Sequence, residues 1–184
     1  MPFLKTTGYC VMRTRIWTLI IGFALTFAAA PVMAQDEIAA AQAIAGFWLT
    51  EDKEAVVELY PCDHKVCGRF RWLKDDSLEN PSLDDKNPDP ADKLRPLCGM
   101  QFMGGFTPMG HGYFTDGWIY SPRHGRNFNA KLILKEPDKL ELYGYFLITL
   151  FGESQVWQRL ETAPACPLLE AASVKENLHA GHEK

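Results

Sequence analysis

Between residues 46 and 160 the chain is cut into short runs that alternate apolar and polar side chains, each closed by a turn signal. The runs are GFWLT (46–50), AVVELY (55–60), VCGRFRWL (66–73), CGMQFM (98–103), GWIY (117–120), RNFNAKLIL (126–134), KLELYGYF (139–146) and ESQVWQRL (153–160). In RNFNAKLIL, Phe128, Ala130, Leu132 and Leu134 fall on one face, with Asn127, Asn129 and Lys131 on the other. That period of two is the mark of a half-buried strand. Leu140 and Leu142 alternate with Glu141 and Tyr143 in the same way. The stretches PRHG (122–125) and EPD (136–138) supply turn residues. About eight such strands, with no helical stripe long enough for a βαβ crossover, predict an antiparallel all-β domain. A single up-and-down barrel is expected over a sandwich, because closure removes exposed strand edges.

The flanking segments differ in character. The chain has 184 residues, enough for one domain with a real core but hardly two. Residues 12–34, MRTRIWTLIIGFALTFAAAPVMA, place two arginines before an apolar run and small residues after it. This is the layout of a secretory signal peptide, so residues 1–34 are expected to be cleaved after Ala34. The apolar run is shorter than the roughly 20 residues that span a bilayer, and no membrane span is expected in the mature chain. Residues 35–45 have a helix-friendly composition and read as a short lead-in helix or arm. The barrel is expected over 46–161, and 162–184 read as a flexible tail with one helical turn in LLEAASVKENL.

Loss of residues 1–34 removes Lys5, Arg13 and Arg15 and no acid, taking the formal charge from −4 by three cations to −7. An acidic chain without a basic stripe is repelled by phosphate backbones, which argues against nucleic acid as a partner. Four cysteines remain: Cys62, Cys67, Cys98 and Cys166. An even count in an oxidising compartment predicts two disulfides, for which three pairings exist. The short DHKV loop favours Cys62 with Cys67, leaving Cys98 to fasten the tail through Cys166. The alternative, a metal clip using His64, offers three ligands at most, and no metal is expected.

Gly46-Phe47-Trp48 opens the first strand, and Trp157-Gln158-Arg159 lies in the last. First and last strands are neighbours in a closed barrel. Arg159 is therefore expected to stack on Trp48 at the closed end, an arrangement that resembles lipocalin-like barrels. A cation–π contact of this kind contributes about 1 kcal/mol or more when desolvated.

The long connection 75–96, DDSLENPSLDDKNPDPADKLRP, is the most unusual stretch. Asp85, Asn87 and Asp89 match the opening of a calcium loop, but Pro90 replaces its turn glycine and Pro96 its closing glutamate. The expectation is a rigid loop in which Asp85 and Asn87 cap turns and Arg95 pairs with Asp85 across the mouth. Tyr120, Tyr143 and Trp157 are further candidates to line a ligand cavity. G-x-S-x-G and H-E-x-x-H are absent, and His64, His111 and His124 fall in loops without a nucleophile signature. No catalytic residue and no cofactor are expected.

One ordered set of short motifs runs through the barrel region: G-x-W at 46–48, YPC…VCG at 60–68, DDKNPD at 84–89 and LRPLCG at 94–99. It continues with DGWIYSPRHGRNF at 116–128, LYGY at 142–145 and VWQR at 156–159. In that order the chain resembles the bacterial exported domain-of-unknown-function family numbered 2147. The resemblance implies a lipocalin- or streptavidin-like barrel of the bacterial envelope, periplasmic or secreted. Ser121 and Phe128 stand where that family often carries Asp and Tyr. Three functional classes follow: a module that binds a small apolar or amphipathic ligand or an envelope protein, a structural or stress-related protein with no cavity ligand, and an enzyme with a site at the barrel mouth. An open cavity points to the first class, a filled interior to the second.

Overall fold

Eight antiparallel strands close into a barrel in which each strand pairs with the next and the last returns to the first. The computed structural model describes residues 32–147, 150, 152–167 and 169–170. The strands are β1 (Gly46–Leu49), β2 (Ala55–Cys62), β3 (Lys65–Leu73), β4 (Gln101–Pro108), β5 (Tyr113–Ser121), β6 (Arg126–Glu136), β7 (Lys139–Tyr145) and β8 (Gly152–Leu160). One helix, α1 (Val32–Ile44), precedes them. It begins three residues ahead of the expected lead-in segment. Residues 1–31 of the expected signal segment lie outside the described residues, as does the tail beyond Glu170. Of the expected tail helix, Leu169 and Glu170 are helical, as is Pro167 just before it.

Up-and-down connectivity sorts the loops by end. The β1–β2, β3–β4, β5–β6 and β7–β8 connections gather at one mouth, and the β2–β3, β4–β5 and β6–β7 turns at the other end. The second end is closed. Trp48 is fully buried there, and its indole Nε1 donates to Ile44 O at 2.9 Å. Arg159, its register partner on β8, holds its guanidinium 4.3 Å from the Trp48 ring centroid. Arg159 also donates to the carbonyls of Ala43 (2.7 Å), Ala45 (2.8 Å) and Pro137 (2.7 Å). The last carbonyls of a helix lack partners within it, and a cation is favoured at that negative end. Arg159 and Trp48 thus cap α1 and press Ala41 and Ile44 into the core. Gly46 is required between them on two counts: its φ is 128°, and a Cβ would lie 3.1 Å from the Arg159 Nη1.

Above this plug, Leu59, Val66, Met103, Phe106, Leu132 and Leu140 fill the lower half of the barrel. The Cys62–Cys67 bridge (Cα–Cα 5.9 Å) ties the ends of β2 and β3. The Cys98–Cys166 bridge (Cα–Cα 5.8 Å) fastens the segment after β8 to the β3–β4 connection. The hairpin of β4 and β5 is longer than the sequence pattern predicts, running to Pro108 and restarting at Tyr113. Its turn is Met109–Gly112, where Gly110, His111 and Gly112 all have positive φ. Gly104, Gly105 and Pro108 mask this strand in the sequence, but ladder pairing to β5 fixes it regardless of their low strand propensity.

Candidate functional site

The upper half of the barrel is a cavity of about 910 Å³ opening at the mouth. Its deep wall follows from the inward phase of each strand: Phe70 of β3, Phe102 of β4, Ile119 of β5, Phe128 of β6, Leu142 of β7 and Trp157 of β8. Phe70 and Phe102 stack with centroids 3.9 Å apart. Trp157 forms a hard floor, buried to 2% exposure, and its indole N–H donates to Gln155 Oε1 at 3.1 Å. The inward position of β7 next above Leu142 is Gly144, which faces open space: a Cβ there would meet nothing within 4 Å.

The rim is polar. Arg123 in the β5–β6 turn bridges Asp52 and Glu54 of the β1–β2 turn. Burial opposes ionisation of Asp52, but hydrogen bonds from Thr50 and the Glu54 amide, with the Arg123 charge, hold its carboxyl below the usual range. Arg126 projects from the top of β6 between Phe128 and Phe146, 4.8 and 5.2 Å from their centroids. His124 Nδ1 and Ser121 Oγ are hydrogen-bonded at 2.9 Å. Among the described residues nothing bonds the other ring nitrogen, so this pair lacks the third group that orients a catalytic base.

The β3–β4 connection is pinned beside the mouth by an acid that sequence reasoning passed over. Asp84 is fully buried and accepts from Asn87 Nδ2 (2.7 Å), Arg95 Nη2 (2.8 Å) and the Tyr120 hydroxyl (2.7 Å). Burial alone would push its carboxyl up; these hydrogen bonds and the Arg95 charge outweigh burial and hold it below the usual carboxylate range. The Tyr120 phenol, desolvated and bonded to that carboxylate, is pushed up to about 12. Asn87 also accepts from the Asp89 amide at 2.9 Å, an Asx turn of the expected kind.

Two expectations need correction. Arg95 pairs with Asp84 and not with Asp85, which is exposed and lies 3.4 Å from Lys86. In a DD dipeptide only the register of the loop decides which carboxylate turns inward. Tyr143 does not line the cavity: it shares the outer face of Glu141, opposite in phase to Leu142, and stacks with Tyr145. Tyr120 and Trp157 do line it, while Asn87 and Arg95 support the loop from outside it. Missed altogether were Phe70, Arg126 and Phe146. The i, i+2 spacing of Arg126 and Phe128 was the available signal that a cation shares the inward face. Asp76 lies within metal-ligand reach of Cys98 and Cys166, but those two sulfurs are bonded to each other and offer no thiolate.

Residues 46–159 match the family described as an uncharacterized protein conserved in bacteria (DUF2147), and the chain belongs to that family. Among solved structures, the Helicobacter pylori protein HP1028, described as belonging to the lipocalin family, matches with a TM-score of 0.58. The two are 20% identical, and the match covers 64% of this chain and 83% of that one. At that identity the likeness is one of fold: a lipocalin-like barrel. A search of the curated proteins finds no sequence match.

Proposed function

We propose that this member of the bacterial family is an exported binding protein that holds one small apolar or amphipathic molecule in its mouth cavity. The observation that carries the reading is the cavity itself. About 910 Å³, floored by Trp157 and walled by Phe70, Phe102 and Leu142, lies within the range of known small-molecule sites, roughly 300–1,000 Å³. A barrel serving only as structure has no need of such a space, because eight strands can be filled by side chains alone. Apolar walls below a polar rim suit a molecule whose tail enters and whose polar end stays at the mouth. Export is supported by two disulfides, which persist in oxidising compartments, and by the signal-like segment at 12–34. Among the described residues no helix is long and apolar enough to cross a membrane.

Gly144 offers a test, since a Cβ added there faces the cavity and meets no atom within 4 Å. A polarity-sensitive apolar dye should bind the native protein at one site and brighten. Gly144→Leu should fold and melt like the native protein yet bind the dye measurably more weakly. Equal dye binding by both would place the dye elsewhere and defeat the reading.

A further inference from the structure

Resting on the cavity reading above, we propose that Arg126 is the receptor for an anionic head group, so that the ligand is an amphiphile ending in a carboxylate or phosphate. Two arginines line the cavity, and they differ in state. Arg123 is neutralised by Asp52 and Glu54. Arg126, among the described residues, has no carboxylate within ion-pair distance and no hydrogen bond from its guanidinium to the chain. It is nonetheless held in place, 4.8 Å from the Phe128 centroid and 5.2 Å from that of Phe146. Contact with aromatic faces leaves the donors along the edge of a guanidinium free, in a fork that matches two oxygens of a carboxylate or phosphate. Anchoring by two rings also removes much of the rotamer freedom that an exposed arginine would lose on binding.

Position supports the same assignment. Arg126 begins β6 at the mouth, and Phe128 and Ala130 follow it down the same inward face. An apolar tail reaching toward Trp157 therefore leaves its head at Arg126. Lys74 adds a third cation to the lining. The opposing charges are Asp75 and the surplus carboxylate of the Asp52–Glu54–Arg123 cluster on the rim, and Glu153 near the start of β8, paired with Gly144 of β7. An anionic head beside Glu153 would be repelled; at Arg126 it is matched.

Calorimetric titration with molecules sharing one decyl chain separates the possibilities: decanoate, monodecyl phosphate, decanol and decyltrimethylammonium. Decanoate and decyl phosphate should bind about ten-fold or more tightly than decanol, the factor a charge-assisted hydrogen bond supplies. In Arg126→Gln the ratio of decanoate to decanol affinity should fall to about one, and Arg126→Lys should keep part of it. A preference for the ammonium head would make Glu153 the receptor and overturn the proposal, as would an anionic preference that persists in Arg126→Gln. Equal binding of all four leaves the cavity reading intact and overturns this one. Binding of none overturns both.

Discussion

Trp48 and Arg159 join two duties in one contact. The guanidinium stacks on the indole and, with its N–H groups, satisfies the terminal carbonyls of α1. Trp48→Ala should cost about 3–5 kcal/mol, as expected for an aromatic deleted from a packed core. Arg159→Lys should cost less, because it keeps the charge and loses the planar fork. A double-mutant cycle on urea unfolding should give coupling of about 0.5 kcal/mol or more; additivity within error would mean the two side chains act separately. The sequence exposes this pair because barrel closure alone brings β1 beside β8. It conceals Asp84, since adjacent aspartates carry no sign of which one turns inward. With its folded pKa lowered, Asp84 stabilises the loop above its unfolded value of about 4, and that stability is lost as pH falls through the folded value. Asp84→Asn should therefore cost about 1–3 kcal/mol at neutral pH, with the gap from the native protein closing below about pH 4. A gap independent of pH would assign the cost to shape and not to charge.

At the scale of elements, two bridges hold segments that the sheet does not. The Cys98–Cys166 bridge spans 68 residues of sequence and the Cys62–Cys67 bridge only 5. In the chain-entropy model the long closure contributes about 4 kcal/mol and the hairpin closure about 2. Chemical denaturation of Cys98→Ala/Cys166→Ala and Cys62→Ala/Cys67→Ala should rank them in that order. The reverse order would show that the hairpin bridge matters through the folded state. Strands with clean alternation, β6 and β7 above all, were legible because each buries one face. The β4–β5 hairpin was not. Gly104 and Gly105 remove the side chains that a period would be read from, and the Gly110–Gly112 turn needs backbone angles that only pairing reveals. The proline-rich β3–β4 connection reads correctly as ordered, because side-chain to backbone bonds such as that from Asn87 recur in such sequences.

For the whole molecule, a plugged lower half and an open upper half divide stability from binding. The plug is readable from sequence: buried aromatics and aliphatics at period two must fill a closed barrel. The cavity is not, because space depends on the summed volume of side chains from six strands, which no single run of the sequence displays. Family membership adds the bacterial setting without supplying a ligand. A binding role requires that space to be occupied in use. Native mass spectrometry of protein purified under mild conditions from an oxidising compartment measures this directly. The native-state mass should exceed that of the chain by one small molecule, released on denaturation and depleted in Gly144→Leu. The bare chain mass from native protein and variant alike, with no adduct after exposure to a lipid extract, would contradict it.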